Sequence, residues 1–367
     1  MRFPGFSGEW KQYTMGEITE LFSRRNKKRT DYPMFSVTNS RGFVNQQEQF
    51  EEREMKGEDI AAYKIVSSGE FAYNPARINV GSIARYDGET DCMISSLYVC
   101  FNAKKELVDS QLLLHILKSP KMLYNYGING EGGVRIYLFY PNFARIRVKL
   151  PSIEEQQKIA SFLNLIEERI QVQNKVIGKY ESLIKALYSR LLPLKEDETA
   201  ELGTLVQICK GKQLNGEFLS GEGKYYVMNG GITPSGYYDE YNTPAGTISI
   251  SEGGNSCGFV QYNEKAFWCD GHCYTLLRTT DDRIQYKFLY HFLKSKQDEI
   301  MALRVGSGLP NIQKKTLGRF PVTILPIDYQ NAITRLLDAI GKYIENEQAI
   351  LVEMTHQKSY FLDNLFI

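Results

Sequence analysis

The sequence lacks the features that mark membrane and secreted proteins. No run approaches the roughly 18 consecutive apolar residues of a membrane helix, and the opening segment MRFPGFSGEW has no apolar core of the kind that a signal peptide needs. Its six cysteines are scattered over 367 residues, which is typical of reduced thiols and not of a disulfide framework. These absences predict a cytoplasmic protein.

An excess of one charge is also missing. Lys and Arg number 44 against 43 Asp and Glu, a net charge of +1, which excludes a polybasic tail protein and a highly charged disordered chain. A neutral total can hide a local basic face, and residues 1–30 carry seven basic side chains against three acidic ones. Nucleic acid therefore stays open as a ligand.

Catalytic and cofactor motifs are nearly absent. The run Asn74-Pro-Ala-Arg77 lacks the second proline and the aromatic residue of the motif with which adenine methyltransferases hold a flipped base. The glycine-rich runs at 130–133, 253–254 and 306–308 do not follow a strand and open a helix, as a nucleotide-binding loop must. The segment 268–273 contains Cys, Asp and His, but no second pair follows at zinc spacing. We expect no catalytic residue, metal or cofactor in this chain.

An internal repeat organises the chain. The number of residues between matching segments changes by only a few residues along the chain, as a duplication followed by single-residue gaps would produce. His115 and His291 occupy one repeat position inside apolar segments, which favours a packing role over catalysis. The matching pairs are 112–119 with 288–295, Gly69 and Gly81 with Gly246 and Gly258, and Leu150-Pro151 with Leu325-Pro326.

Each copy ends in a segment with the heptad spacing of a coiled coil, sustained over more than four heptads without proline. Two such matched runs predict two long helices, each roughly 50 Å long at 1.5 Å per residue. The seam positions are Ile159, Leu163, Ile166, Ile170, Gln173, Ile177, Tyr180, Ile184, Leu187 and Leu191, and, 174 residues later, Ile333, Leu337, Ile340, Ile344, Glu347, Leu351, Met354, Lys358, Phe361 and Leu365.

The globular parts combine short β-branched runs between glycine turns with apolar helical segments. The predicted fold class is α+β, with two mixed α/β domains joined by two long helices that form an antiparallel coiled coil with a pseudo-twofold internal repeat. We predict strands near 71–73, 80–86, 98–101, 246–250 and 274–277, and helices at 109–124 and 284–303. The predicted domains are 1–150 and 196–326, with helices in 151–195 and 327–367.

Two globular parts on a long spacer suit a bipartite linear target such as duplex DNA. The loop between the repeated glycines differs completely in the two copies, as two different half-sites would require; solvated turns are the alternative. Basic side chains are expected to contact phosphates and loop side chains to contact bases. The predicted phosphate contacts are Lys27, Lys28, Arg29, Lys210 and Lys212, and the predicted base contacts are Asn74, Arg77, Asn79, Asn255 and Ser256.

Three segments resemble the specificity subunits of type I restriction-modification systems. They are Leu150-Pro-Ser-Ile-Glu-Glu-Gln-Gln-Lys-Ile-Ala160, its second copy Leu325-Pro-Ile-Asp-Tyr-Gln-Asn-Ala-Ile333, and the opening Arg2-Phe-Pro-Gly-Phe-Ser-Gly-Glu-Trp10. The second copy departs from the pattern with Tyr329 where the first has Glu155, which we expect to weaken a capping interaction.

The resemblance implies a function and partners. Each domain would be a target recognition domain that reads one half of an interrupted DNA sequence. The chemistry would lie in other chains: two methyltransferase subunits that use S-adenosylmethionine to methylate adenine, and restriction subunits that use ATP and Mg²⁺. A self-contained adenine methyltransferase with unrecognised motifs, and a coiled-coil scaffold that does not bind DNA, are the alternatives.

Apolar residues beyond the seam widen the face of both helices. We expect these residues to bind helices of the methyltransferase subunits, with contact to the chain's own globular domains as the alternative. They are Phe162, Leu165, Val172, Val176, Leu336, Ala339, Tyr343 and Ile350.

The register of the two helices follows from aligning the midpoints of their seams in antiparallel orientation. This alignment predicts Lys358 near Ile166, and Gln173 in the layer next to Glu347. The N-terminal region around Phe3 and Phe6 is expected near the end of the second helix.

Overall fold

The computed structural model describes residues 2–46, 60–133, 136–192, 198–306 and 308–365. The chain forms two compact units, Met1–Asn174 with Ala349–Ile367 (unit 1) and Lys175–Gln348 (unit 2). Each unit therefore contains a globular part and one half of each long helix. Among the described residues, none of the helices combines the length and the apolar character needed to cross a membrane.

The first globular part precedes the long helix α5. Its strands are β1 Lys11–Thr14, β2 Thr19–Phe22, β3 Phe35–Thr38, β4 Gly42–Asn45, β5 Lys64–Val66, β6 Phe71–Tyr73, β7 Ile83–Arg85, β8 Cys92–Ile94, β9 Val99–Ala103 and β10 Arg147–Leu150. Its helices are α1 Met15–Ile18, α2 Ser110–Leu117, α3 Pro120–Asn129 and α4 Tyr140–Phe143, followed by α5 Ile153–Leu191.

The second globular part precedes the long helix α10. Its strands are β11 Glu198–Glu201, β12 Val206–Lys210, β13 Tyr225–Met228, β14 Gly236–Tyr238, β15 Thr247–Ser251, β16 Val260–Asn263, β17 Trp268–Cys269, β18 Cys273–Arg278 and β19 Pro321–Ile324. Its helices are α6 Leu202–Leu205, α7 Tyr286–Ser295, α8 Gln297–Ala302 and α9 Lys314–Gly318, followed by α10 Ile327–Leu365.

The two globular parts repeat one sheet topology. A four-stranded antiparallel sheet has the order β2-β9-β6-β7 in unit 1 and β12-β18-β15-β16 in unit 2. The first strand of each part pairs antiparallel with the last strand before the long helix, β1 with β10 and β11 with β19. The duplication therefore includes the N-terminal strands, which the matching sequence segments alone did not show.

The core of each part lies between its sheet and its short helices. In unit 1 the buried rings of Phe71 and Phe101 stack with centroids 5.1 Å apart, and α1 buries Met15 and Ile18 against them. All five predicted strands are present, Phe71–Tyr73 with the predicted ends and the other four with shifted ends, for example Ile83–Arg85 within the predicted 80–86. Short buried β-branched and aromatic runs thus gave the right element type.

The two helices predicted as single elements are each broken in two. The predicted helix 109–124 ends at Leu117, and a new helix begins at Pro120, where the Ser119 hydroxyl accepts a hydrogen bond from the Met122 amide. Proline cannot donate within a helix and is favoured at the first helical position. The second copy breaks at the equivalent position, Lys296, without a proline.

The long helices run antiparallel in both units. In unit 1 the Phe162 and Phe361 rings meet edge to face at 4.9 Å, and Lys358 forms an ion pair with Glu167, one residue from the predicted position. In unit 2 the rings of Tyr180 and Tyr343 stack with centroids 6.1 Å apart. These pairs confirm the predicted orientation and register in each unit. The adjacency of Gln173 and Glu347, which belong to different units, stays a prediction.

The N-terminal segment is fastened to the long helices of unit 1. The ring centroids of Phe3 and Phe162 lie 5.7 Å apart. Phe162 also contacts Phe361 near the end of α10, where the N-terminal region was expected. Arg2 donates two hydrogen bonds, of 3.0 and 2.7 Å, to the fully buried carboxylate of Glu155. The Glu155 carboxylate therefore binds Arg2, while the capping bond at the start of α5 is made by the Glu155 amide, which donates to the Ser152 hydroxyl.

One buried amide side chain joins each globular part to its long helix. Gln156 Oε1 accepts from the amide of Asp109, the residue before α2, while its Nε2 donates to the carbonyls of Leu107 and Pro151. Gln330 makes the same three bonds, accepting from Gln285 and donating to Arg283 and Leu325. Both side chains are almost fully buried, so these bonds form without competition from water.

Replacing Gln330 with Leu should destabilise the chain by about 2–3 kcal/mol, because one buried N–H and two buried carbonyls lose their partner. Chemical denaturation of the full chain measures the change. Gln348, exposed on the same helix, provides the matched control, and Gln348→Leu should shift the stability by less than about 0.5 kcal/mol. Equal effects of the two substitutions would contradict the role assigned to Gln330.

Candidate nucleic-acid interface

The predicted basic cluster of unit 1 lies on a tightly built loop. Asn26 is 1% exposed, and its side chain both donates to the Thr30 carbonyl at 2.7 Å and accepts from the Thr30 amide at 3.0 Å. This clamp leaves Lys27, Lys28 and Arg29 exposed at the tip. Arg29 adopts a left-handed conformation with φ of 52°, which is uncommon outside glycine. The loop thus presents three cations from a fixed backbone.

The predicted base-contacting loop of unit 1 follows β6 directly. Its ends are tied by hydrogen bonds from the Asn74 amide to Ser82 and from the Ser82 amide to the Arg77 carbonyl. The Asn74 side chain accepts from the Ala76 amide at 3.0 Å, so its oxygen already stabilises the turn. Arg77 is exposed and Asn79 half-buried, so Arg77 is the more accessible of the two side chains.

The matching loop of unit 2 follows β15. Asn255 is exposed at its tip and Ser256 is half-buried. Gly258 closes the loop with φ of 92°, and a Cβ there would lie 2.7 Å from the Met301 backbone. Only glycine fits this position without displacement, which explains why the repeat retains glycine there.

The predicted phosphate contacts of unit 2 differ in their surroundings. Lys210 is in an ion pair of 2.7 Å with Glu252, and the same carboxylate lies 3.2 Å from the His272 ring. Lys212 is exposed, and its carbonyl accepts from the indole N–H of Trp268 at 2.9 Å. Part of the Lys210 charge is therefore balanced within the chain, which the sequence did not reveal.

A second loop lies beside the first in each unit. In unit 1 Glu131 and Tyr137 exchange two backbone hydrogen bonds, and in unit 2 Val305 and Asn311 do the same. The residue that follows, Leu138 or Ile312, donates to a carbonyl of the variable loop, Pro75 or Glu252 respectively. By sequence these glycine-rich runs resemble only nucleotide-binding loops. Their equal spacing in the two copies was the signal that they belong to the repeated frame.

The metal-ligand types near 268–273 are engaged in the fold. Asp270 is buried and accepts from the amides of Leu214 and Gly271. A hydrogen bond with Cys273 and burial raise the pKa of the Cys269 thiol, which disfavours the thiolate that a metal requires. No group of three or more metal-binding side chains occurs in the described part of the chain.

The repeated histidines are buried and bound to the long helices. His115 Nε2 lies 2.7 Å from the Asn164 side chain, and His291 Nε2 lies 2.8 Å from the Asp338 carboxylate. Burial lowers the pKa of both imidazoles. Their contacts therefore fasten helices α2 and α7 to α5 and α10, in line with the packing role expected from the repeat.

Most of the residues predicted to bind partner helices are on the surface. Leu165 is 61% exposed and Leu336 45%, and Val172, Ala339, Tyr343 and Ile350 are also exposed. Val176 is half-buried, and so is Phe162, whose ring lies between Phe3 and Phe361. Phe162 therefore belongs to the core of its own unit. An open groove of about 610 Å³ lies beside Ile350 and Val352 in unit 1.

Comparison with known proteins identifies one family. The type I restriction modification DNA specificity domain matches residues 7–179 and again residues 195–356. A protein of Mycoplasma pneumoniae described as a candidate type I specificity subunit is 34% identical over 166 residues, which are 45% of this chain and 44% of that relative. The match thus spans about half the length of that relative. A candidate MjaX specificity subunit of Methanocaldococcus jannaschii is 20% identical across 92% of this chain and 88% of its own.

Solved structures show the same fold over the whole chain. The crystal structure of a type I restriction-modification S subunit from M. genitalium superimposes with a TM-score of 0.69 at 18% identity, covering 100% of this chain and 99% of that one. A chain from a study of the assembly of the type I system superimposes with a TM-score of 0.57 at 16% identity, covering 97% of both chains. At these identities the likeness concerns the fold.

The role of the Asn26 clamp can be tested by the rate of trypsin cleavage in the loop, since trypsin cleaves after Lys and Arg. Asn26→Ala should speed cleavage at Lys27, Lys28 and Arg29 about tenfold, because the loop loses both side-chain bonds that close it. Cleavage products are followed by mass spectrometry. Asn39→Ala, at an exposed turn position of the same unit, should leave the rate unchanged. Equal rates in both variants would show that Asn26 does not hold the loop.

Proposed function

The chain belongs to the family of type I restriction modification DNA specificity domains, and we propose that it is the subunit that reads the DNA sequence for such a system. One observation carries the proposal. Two units share one sheet topology and one set of anchoring bonds, yet their loops between the repeated glycines have no identical residue at matching positions. A constant frame with different loops suits recognition of two different half-sites of an interrupted sequence.

The loops carry the side-chain types that DNA recognition uses. Arg77 can donate two hydrogen bonds to the O6 and N7 atoms of guanine, and Asn255 can pair with adenine. The cations at 27–29 and Lys212 are exposed as phosphate contacts would be. Phosphate contacts would position the protein, while the loop side chains would supply the sequence preference.

We assign the chemistry to partner subunits. The side chains that resemble catalytic or metal-binding motifs here, those of Asn74, Asp270 and Cys269, are occupied by hydrogen bonds within the fold. Two methyltransferase subunits would bring S-adenosylmethionine and methylate adenine, and restriction subunits would bring ATP and Mg²⁺. The cytoplasm is the compartment proposed with them. The exposed apolar residues of α5 and α10 are the proposed docking surface for methyltransferase helices.

Mapping N6-methyladenine in cells with and without this gene tests the proposal. Methylation at one bipartite motif should depend on the gene. Methyl transfer by the isolated chain with S-adenosylmethionine would instead support a self-contained methyltransferase. Absence of salt-sensitive DNA binding by the complex with methyltransferase subunits would support a scaffold.

Two substitutions in unit 1 should separate base contacts from phosphate contacts. Lys28→Gln should weaken binding to all sequences alike and reduce the slope of log K against log salt by roughly one. Arg77→Ala should lower the preference at one half-site by about tenfold and leave the other half-site intact. Binding titrations at several salt concentrations measure both effects. A uniform loss for Arg77→Ala would place that residue among the phosphate contacts.

Charged substitutions on the long helices should test the docking surface. Leu165→Glu combined with Leu336→Glu should abolish co-purification of the methyltransferase subunits, because two carboxylates would be buried against apolar partner side chains. Leu97→Glu is the control, since Leu97 is 78% exposed in the globular part of unit 1. Intact co-purification of the double variant would reject this surface.

A further inference from the structure

A nearly buried carboxylate lies within the variable loop of unit 2. Glu252 is 9% exposed, and its Oε1 accepts from Lys210 Nζ at 2.7 Å. Its Oε2 lies 3.2 Å from Nδ1 of His272. An ionised carboxylate can only accept hydrogen bonds, so the imidazole donates from Nδ1. This contact fixes the tautomer: in the neutral ring, Nε2 carries a lone pair.

The backbone around His272 holds the ring in place. The His272 amide donates to the Asn229 side chain at 3.1 Å, and its carbonyl accepts from the Glu252 amide at 2.9 Å. Two glycines pack beside the residue: a Cβ on Gly253 would lie 3.5 Å from Nδ1, and one on Gly230 would lie 3.6 Å from the His272 Cβ. The imidazole therefore packs closely against the backbone of both glycines.

The ring is oriented but not enclosed. The His272 side chain is 65% exposed although one nitrogen is bound. Within the described part of the chain, Nε2 has no hydrogen-bond partner, in contrast to the buried His115 and His291, whose Nε2 atoms bind the long helices. His272 therefore differs from the two packing histidines in the atom that it leaves available.

The described part of unit 1 contains no equivalent cluster. The carbonyl of Pro75 accepts from Leu138 just as the carbonyl of Glu252 accepts from Ile312, so proline occupies the position of the carboxylate. A feature built into one loop of a duplicated frame is what a difference between two half-sites requires.

Resting on the function proposed above, we propose that His272 is a base-reading residue of unit 2 and that Glu252 is the positioning residue that sets its hydrogen-bonding character. With the proton on Nδ1, Nε2 accepts a hydrogen bond. The base edges that can donate one in the major groove are the exocyclic amino groups, N6 of adenine and N4 of cytosine. His272 should therefore select an amino-bearing base at one position of its half-site.

The experiment compares variants of the full chain, each co-expressed with the methyltransferase subunits in a host that lacks N6-methyladenine. Single-molecule sequencing then gives the methylated motif. His272→Asn keeps a donor toward Glu252 but has no atom at the place of Nε2. It should reduce the preference at one base pair of the unit 2 half-site by about tenfold. The half-site read by unit 1 serves as the internal control and should not change.

Two further variants distinguish base reading from a structural role. His272→Gln can place an amide oxygen near the position of Nε2 and should retain more of the preference than His272→Asn. Glu252→Gln can donate to Nδ1, which would move the ring proton to Nε2. The preferred base at the same position should then shift toward guanine or thymine, whose major-groove edges accept hydrogen bonds there.

Several outcomes would overturn the inference. An unchanged motif in His272→Asn would show that the ring does not read a base. An equal loss of methylation at all sites would place His272 among the phosphate contacts or in the fold, and Glu252→Gln would then show no shift in preferred base. If the wild-type complex methylates no bipartite motif at all, the proposed function fails and this inference fails with it.

Discussion

The arrangement of each unit depends on the three hydrogen bonds of one buried amide. Gln156 and Gln330 lie in the first turn of α5 and α10, where the last strand, the start of a short helix and the long helix meet. Each amide satisfies one N–H and two carbonyls that would otherwise be buried without partners, at a cost of about 1–3 kcal/mol each. The same side chain therefore joins the start of a short helix, the end of the last strand and the long helix in each unit.

A further buried polar contact lies on the short helix that begins at this junction in each unit. Helix α2 begins directly after the Gln156 contact and carries His115 to Asn164, and helix α7 carries His291 to Asp338 in the same way. Buried polar pairs specify one geometry because each alternative leaves an unpaired group. Both copies thus retain the same buried polar contacts, and the apolar core packs around them.

The variable loops are attached to the repeated frame through backbone atoms. The bonds from Leu138 to Pro75 and from Ile312 to Glu252 involve only main-chain N–H and C=O groups, which any loop sequence except a proline donor can supply. The side chains of exposed loop residues such as Arg77 and Asn255 are therefore not needed for this attachment. This explains how two copies can retain one frame while Arg77 and Asn255 present different chemistry.

The sequence predicted the elements whose signal is local. Heptad spacing identified both long helices, which are 39 residues each in the structure, and matching segments identified the duplication. The prediction of one helix over 109–124 was wrong, because Ser119 and Pro120 start a new helix. Phe162, predicted on the docking surface, lies instead against Phe3 and Phe361, which periodicity within one helix cannot show.

The candidate site was predicted in part for the same reason. Residue types, repeated glycines and clusters of basic residues are visible in the order of the residues, so the variable loops could be found without a structure. Lys210 and His272 as partners of Glu252 depend on contacts between residues 42 and 20 positions apart. The Asn26 clamp on Thr30 is local in sequence, but it rests on the burial of Asn26 within the fold. What the sequence by itself determined is therefore the duplicated frame and its helices, because periodicity and repetition are visible in the order of the residues. Only the tertiary structure decided which charges are neutralised and which ring nitrogen stays available, because those contacts join residues that are far apart in the chain.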